Sequence, residues 1–190
     1  MNSIAPWILP VCMGIGLSAS AGFRVFVPLL VAGIGGRFGW VPLTEHFHWL
    51  GEWPALVCFG TATVIEIFAY YIPVVDNLLD TITTPLAILA GTLLATSVLP
   101  IDQELWKWGA GLIVGGGSAA IIQSGTALLR LFTTKATVGT GNAMVATGEN
   151  LGAWTLSSLS LVIPVLVAVV VVIMIGVVLM GLARRKKSPS

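Results

Sequence analysis

The chain has 190 residues, 56% of them hydrophobic and only 9% charged, with a formal net charge of +1. An ordinary soluble domain carries roughly a quarter charged residues, so no soluble fold of this length could hide so much apolar surface, and a chain without clustered Lys and Arg on one face lacks the footprint of a nucleic-acid binder. A membrane helix takes about 20 mostly apolar residues, which leaves room for about five or six spans. The expectation is an all-α integral membrane protein, a polytopic bundle of six (alternatively five) transmembrane helices. It forms a single domain over residues 1–183, followed by a short basic tail at 184–190.

From Pro6 to about Gly35 the sequence is apolar, interrupted by Arg24 and ended by Gly35-Gly36-Arg37. It lacks the basic n-region and the clean cleavage site of a secretory signal and reads as a retained first span. Phe38 to Pro54 mixes Glu45, His46, His48 and Glu52 with Trp40, Trp49 and Trp53, the composition of an interfacial loop or short surface helix. A second span from about Ala55 to Ile72 carries Glu66 and closes at Pro73. Asp76 and Asp80 follow at i, i+4 and share one helical face. Proline is tolerated in the first turn of a helix, so a third span is expected to open at Pro85 and to end at Leu99-Pro100.

Asp102, Glu104, Trp106, Lys107 and Trp108 form the next interfacial connection, and Gly109 to about Phe132 reads as a fourth span containing Gly115-Gly116-Gly117-Ser118. Thr133 to Asn142 is a polar loop. The forty or so residues from Ala143 to Ala183 hold one charge, Glu149, and exceed a single crossing at about 1.5 Å per residue. Pro164 divides them into two lengths near that of one span, which favours six spans. Arg184-Arg185-Lys186-Lys187 closes the last span and places the C-terminus in the cytoplasm by the positive-inside rule. The rule scores six spans and five equally. In the six-span reading Gly16 to Ser20 resembles Gly116 to Ala120, Glu66 matches Glu149 and Pro85 matches Pro164, a faint sign of an inverted 3+3 repeat of the kind secondary transporters use.

Four segments in order resemble a bacterial membrane-protein family, domain of unknown function 4126. They are Gly16 to Leu30 (GLSASAGFRVFVPLL), Glu66 with Ile72-Pro73-Val74-Val75-Asp76-Asn77-Leu78-Leu79-Asp80, Pro85 with Ala90-Gly91-Thr92-Leu93-Leu94, and Gly148-Glu149-Asn150. The chain departs from the family pattern at Tyr70-Tyr71, where an acidic-basic pair is usual, and at Thr84, where an arginine is usual. The resemblance implies an all-helical inner-membrane protein, hence a bacterial plasma-membrane location, and no sharper function.

A charge at the bilayer centre costs about 2.5–3.5 kcal/mol on insertion scales, so Arg24 and Glu66 need partners or water. They are expected to pair directly or through water, either as part of a polar pathway or as a buried ion pair that fixes helix register. That pairing would leave Glu149 as the carboxyl able to load and unload a proton, alone or opposite Glu66. Capping the start of the fifth helix, with Asn150, is the plainer role for it. Ser118 and Gln123 add hydrogen-bonding groups to the fourth helix and complete the candidate solute or ion pathway.

Asp76 and Asp80 are secondary candidates, more suited to capping than to calcium, which takes six to eight oxygens. No metal site is expected, because His46 and His48 face different directions at a spacing of two. Cys12 and Cys58 read as small hydrophobes. Gly115-Gly116-Gly117 lacks the Lys-Ser or Lys-Thr of a phosphate loop and suits close helix contact instead. No nucleophile-base arrangement and no cofactor motif is visible, which ranks an enzyme third. A small-solute or ion transporter or channel stands first. A structural or accessory protein that meets a membrane-protein partner or a second copy through its Trp40–Trp53 loop stands second. The bilayer itself is the partner both readings require.

Overall fold

The first apolar stretch is not one helix. The computed structural model describes the backbone of residues 5–137 and 141–186 and the side chains of residues 7–72, 82–133 and 141–181. In it α1 (Ala5–Ala21) ends at a turn and α2 (Phe26–Arg37) begins after it. Contacts along a single later helix, α7 (Asn142–Val162), give the direction of each. Along α1, Gly16 faces Ser160, Ser20 meets Ser157 and Arg24 reaches Glu149 and Ala146. Along α2, Val27 and Val31 pack on Ala153, and Gly35 faces Leu161. The first series descends α7 and the second climbs it, so α1 and α2 form a helical hairpin with Gly22 to Val25 at its tip. The expected single span from Pro6 to Gly35 is therefore corrected. At about 1.5 Å per residue those 30 residues would reach about 45 Å, well beyond a hydrocarbon core of about 30 Å.

Gly22 is required at the tip because a Cβ there would stand 2.6 Å from the Ala119 carbonyl oxygen and 2.7 Å from Ile122 Cβ. The turn is closed by Gly22 N–H to Ala19 and by Phe23 and Arg24 N–H to Ser20.

A 3₁₀ helix (Glu45–Gly51) follows α2, as the interfacial composition suggested, and meets α3 (Trp53–Ala69) at a bend of 58°. The next helix, α4 (Pro73–Val98), opens at Pro73 and carries Pro85 inside it. The expected start at Pro85 is thus more than three turns late, Pro73 having already taken the first-turn position where a missing N–H is harmless. The rod of α5 (Glu104–Ala110), a π-helical segment (Gly111–Gly116) and α6 (Gly117–Thr137) then runs antiparallel to α4. Its glycines lie directly against that helix: a Cβ on Gly91 would come within 2.6 Å of the Gly115 carbonyl. Close backbone contact is what the Gly-rich stretch suggested. Thr92 and Thr96 satisfy their hydroxyls on α4's own carbonyls at this crossing. Pro164 does separate α7 from α8 (Pro164–Lys186).

Helix directions bear on the repeat. α1 runs against α4, with Gly14 near Val98 and Ser18 bonded to Gly91, and α4 runs against α6. The Gly16 and Gly116 segments are thus parallel, whereas helices related by inversion must run oppositely, so this pair does not form the 3+3 repeat. Every described element is helical. Two helical stretches, Glu104–Thr133 and Pro164–Gly181, are long and apolar enough to cross a membrane, and the bent pair Glu45–Gly51 with Trp53–Ala69 is a third candidate.

Candidate functional site

The hairpin tip needs polar partners, because a helix that stops inside a packed interior leaves N–H and C=O groups unsatisfied. Glu66 supplies the first set. Its carboxylate accepts the N–H of Val25 at 2.8 Å and of Phe26 at 3.0 Å, which caps α2 from a neighbouring helix and sets negative charge on the positive end of its dipole.

Arg24 supplies the second set and is 1% exposed. Its Nε donates to Asn150 Oδ1 at 2.5 Å, Nη1 to Glu149 Oε2 at 2.9 Å and to the Phe23 carbonyl, and Nη2 to the Ala146 carbonyl. A direct Arg24–Glu66 ion pair is therefore not formed, although the two charges still act on each other through space. The two residues meet at one turn, but Glu66 is engaged by the backbone beside Arg24 while the guanidinium turns to α7. A bare helix end inside the fold claims the nearest acceptor-only group, and Glu66 is that group.

Glu149 accepts a second arginine as well. Arg130 of α6 donates from Nε to Oε1 at 3.0 Å and from Nη2 to Oε2, the fork geometry that makes arginine-carboxylate pairs strong. Both guanidiniums lie against the Tyr70 ring, Arg24 at 3.8 Å from its centroid and Arg130 at 4.2 Å, within cation–π range of it. Tyr70 donates to Thr83, as does the Gln123 amide. Glu149 sits two turns inside α7, which begins at Asn142, too deep for the capping role. It is also not the cation-free carboxyl the sequence suggested.

The residue model for a domain of unknown function, DUF4126, matches residues 11–184. The chain belongs to this family. No curated protein and no solved structure matches it. In this DUF4126 chain the Tyr70-Tyr71 departure lies at the site itself: the Tyr70 ring contacts both arginines, and Tyr71 is 44% exposed. Tyr71 accepts from the Asn150 amide at 3.5 Å and bonds Thr147 at 3.0 Å. A chain of polar groups therefore runs from the surface through Asn150 to Arg24.

Of the remaining candidates, Ser118 bonds only its own helix, at Gly115, and stands apart from the arginines. Gln123 joins the cluster's edge through Thr83. The side chains of Asp76 and Asp80 and those of the basic tail lie outside the described residues. Among the described residues no group of three His, Cys, Asp or Glu is placed to hold a metal. Arg130 and Tyr70 were missed as site residues. Arg130 was visible, since it falls inside the apolar stretch from Gly109 to Phe132 and incurs the same burial cost as Arg24.

Proposed function

We propose that this chain is a non-enzymatic, membrane-embedded carrier or channel for a small solute or ion. In this reading α3, α4, the α5–α6 rod, α7 and α8 cross the bilayer, and the α1–α2 hairpin enters and leaves from one side. Five crossings then separate the N-terminus from the C-terminus, which faces the cytoplasm with the basic run 184–187. Non-helical backbone at membrane depth is tolerated where it is buried in protein or lines a polar cavity, and here the tip is the point at which the polar groups converge.

One observation carries the reading. The buried guanidinium of Arg24 sits at a helix break and is joined through Asn150 to the exposed Tyr71–Thr147 pair. Such breaks at depth are where carriers place substrate and coupling-ion sites. With Arg24, Glu66 and Glu149 at 1%, 6% and 4% exposure, the present arrangement is the occluded one, and separation of Arg24 from Glu149 opens it.

The test uses purified protein in vesicles loaded with a pH-sensitive dye, with proton flux and flux of small inorganic ions followed after an imposed gradient. Flux above that of empty vesicles is expected, with loss in Asn150→Leu protein that still elutes as a folded species. The second reading, an accessory protein whose charges only pin the hairpin, is favoured by the near-complete pairing of Arg24. Folded protein that carries neither protons nor any ion tested would select it.

A further inference from the structure

A third buried cation, beside Arg24 and Arg130, lies at the other end of the fold. Lys107 of α5 is 4% exposed, yet its ammonium has one acceptor, Thr44 Oγ1 at 3.0 Å, and a distant ring face, Phe47 at 5.7 Å. No carboxylate lies within ion-pair distance of it among the described residues. An ammonium has three donors and no acceptor, and a buried charge without a counter-ion is costly. The group lines a cavity of about 230 Å³ together with Thr44, Glu45, His46, Asp102 and Glu104. The carboxylates of this cavity are therefore on its wall but stand off from Lys107, with Glu45 and Glu104 solvent-exposed and Glu104 3.8 Å from His46.

A site with one buried cation and a ring of separated carboxylates fits a zwitterion. A bare anion would meet the acids, and a bare cation would meet the lysine. The helix that supplies Lys107 exposes apolar side chains between Glu104 and Lys107, Leu105 at 83% and Trp106 at 68% exposure, and exposed tryptophans of this kind mark the headgroup level of a bilayer. Acyl chains placed against that wall bring their headgroup to the cavity.

We propose that this cavity binds the phosphoethanolamine headgroup of a phospholipid. The phosphate takes the free donors of Lys107, and the ammonium is held by Glu45 and Glu104. The inference rests on the membrane embedding proposed above but not on transport.

The test is native mass spectrometry of detergent-solubilised full-length protein supplied in turn with phosphatidylethanolamine, phosphatidylcholine and phosphatidylglycerol of matched chains. Extraction with membranes that resist carbonate checks embedding separately, so failure of the two claims is distinguishable. Retention of phosphatidylethanolamine about tenfold above the other two is expected, the size of one charge-assisted hydrogen bond. Lys107→Met should lower retention of all three lipids, since each carries the phosphate that Lys107 holds. Glu45→Gln with Glu104→Gln, two exposed changes that leave folding intact, should move the preference towards phosphatidylglycerol. Equal retention of the three lipids by the parent overturns the proposal, as does unaltered retention in Lys107→Met or an unaltered preference in the double glutamate variant. Displacement of the lipid by inorganic phosphate as readily as by free phosphoethanolamine overturns the zwitterion assignment.

Discussion

Among the described residues three cations are buried, and Arg24 and Lys107 are held in opposite ways. Arg24 is enclosed by its own chain, with a carboxylate, an amide oxygen, two carbonyls and a ring around one guanidinium. Lys107 is enclosed as fully but holds one hydroxyl. A planar guanidinium can satisfy many acceptors in fixed directions, whereas an ammonium is a mobile point charge. The first arrangement suits a joint that holds the hairpin tip, and the second suits a group awaiting a partner from outside.

The sharpest way to break this contrast is to remove the shared carboxylate. Glu149→Leu leaves Arg24 and Arg130 around an apolar side chain and should cost about 3–5 kcal/mol, read as a drop in thermal unfolding temperature in detergent. In a double-mutant cycle the coupling of Arg24 with Glu149 should exceed that of Arg24 with Glu66, within the range of about 0.5–3 kcal/mol for contacting residues. Equal couplings would restore the direct pair that the sequence suggested. A smaller loss is expected from Glu66→Gln. The amide keeps one acceptor oxygen, one N–H of the tip is orphaned at about 1–3 kcal/mol, and amide exchange at Val25 and Phe26 should accelerate while that of α7 holds. The least effect should come from Lys107→Met. A near-isosteric apolar replacement of a cation with little pairing should cost no more than about 1.5 kcal/mol in lipid-free detergent. A loss as large as that of Glu149→Leu would show Lys107 to be held as tightly as Arg24.

Much of the helical layout was legible because it depends on local rules. Pro164 starts a helix, the Gly115 to Gly117 run permits the closest crossing, and the segment around Trp40 and Trp49 falls between apolar helices, whereas the same rules put at Pro85 the helix start that lies at Pro73, and the Trp106–Trp108 connection is part of the rod. The hairpin was not legible from local signals. Gly22 is a lone glycine in a run of small residues, and what breaks the helix is a carboxylate 41 residues beyond Val25. The cue lay in length, since the same arithmetic that split residues 143–183 at Pro164 applies to the stretch from Pro6 to Gly35. The Arg24–Glu149 pair was also out of reach. Opposite charges inside helices invite pairing by proximity in the sequence, and only the fold reveals that the backbone of the tip had already taken Glu66.

The central claim is that α1 and α2 enter and leave on one side, with Arg24 at the turn. Sidedness of single cysteines tests it directly. In a background with Cys12 and Cys58 changed to Ala, Asn2→Cys, Glu52→Cys and Ser188→Cys are labelled in sealed vesicles with a membrane-impermeant maleimide. The account predicts that Asn2→Cys and Glu52→Cys are labelled from the same side and Ser188→Cys from the other. Labelling of Asn2→Cys and Glu52→Cys from opposite sides would mean that the first apolar stretch crosses the membrane, and would contradict the hairpin.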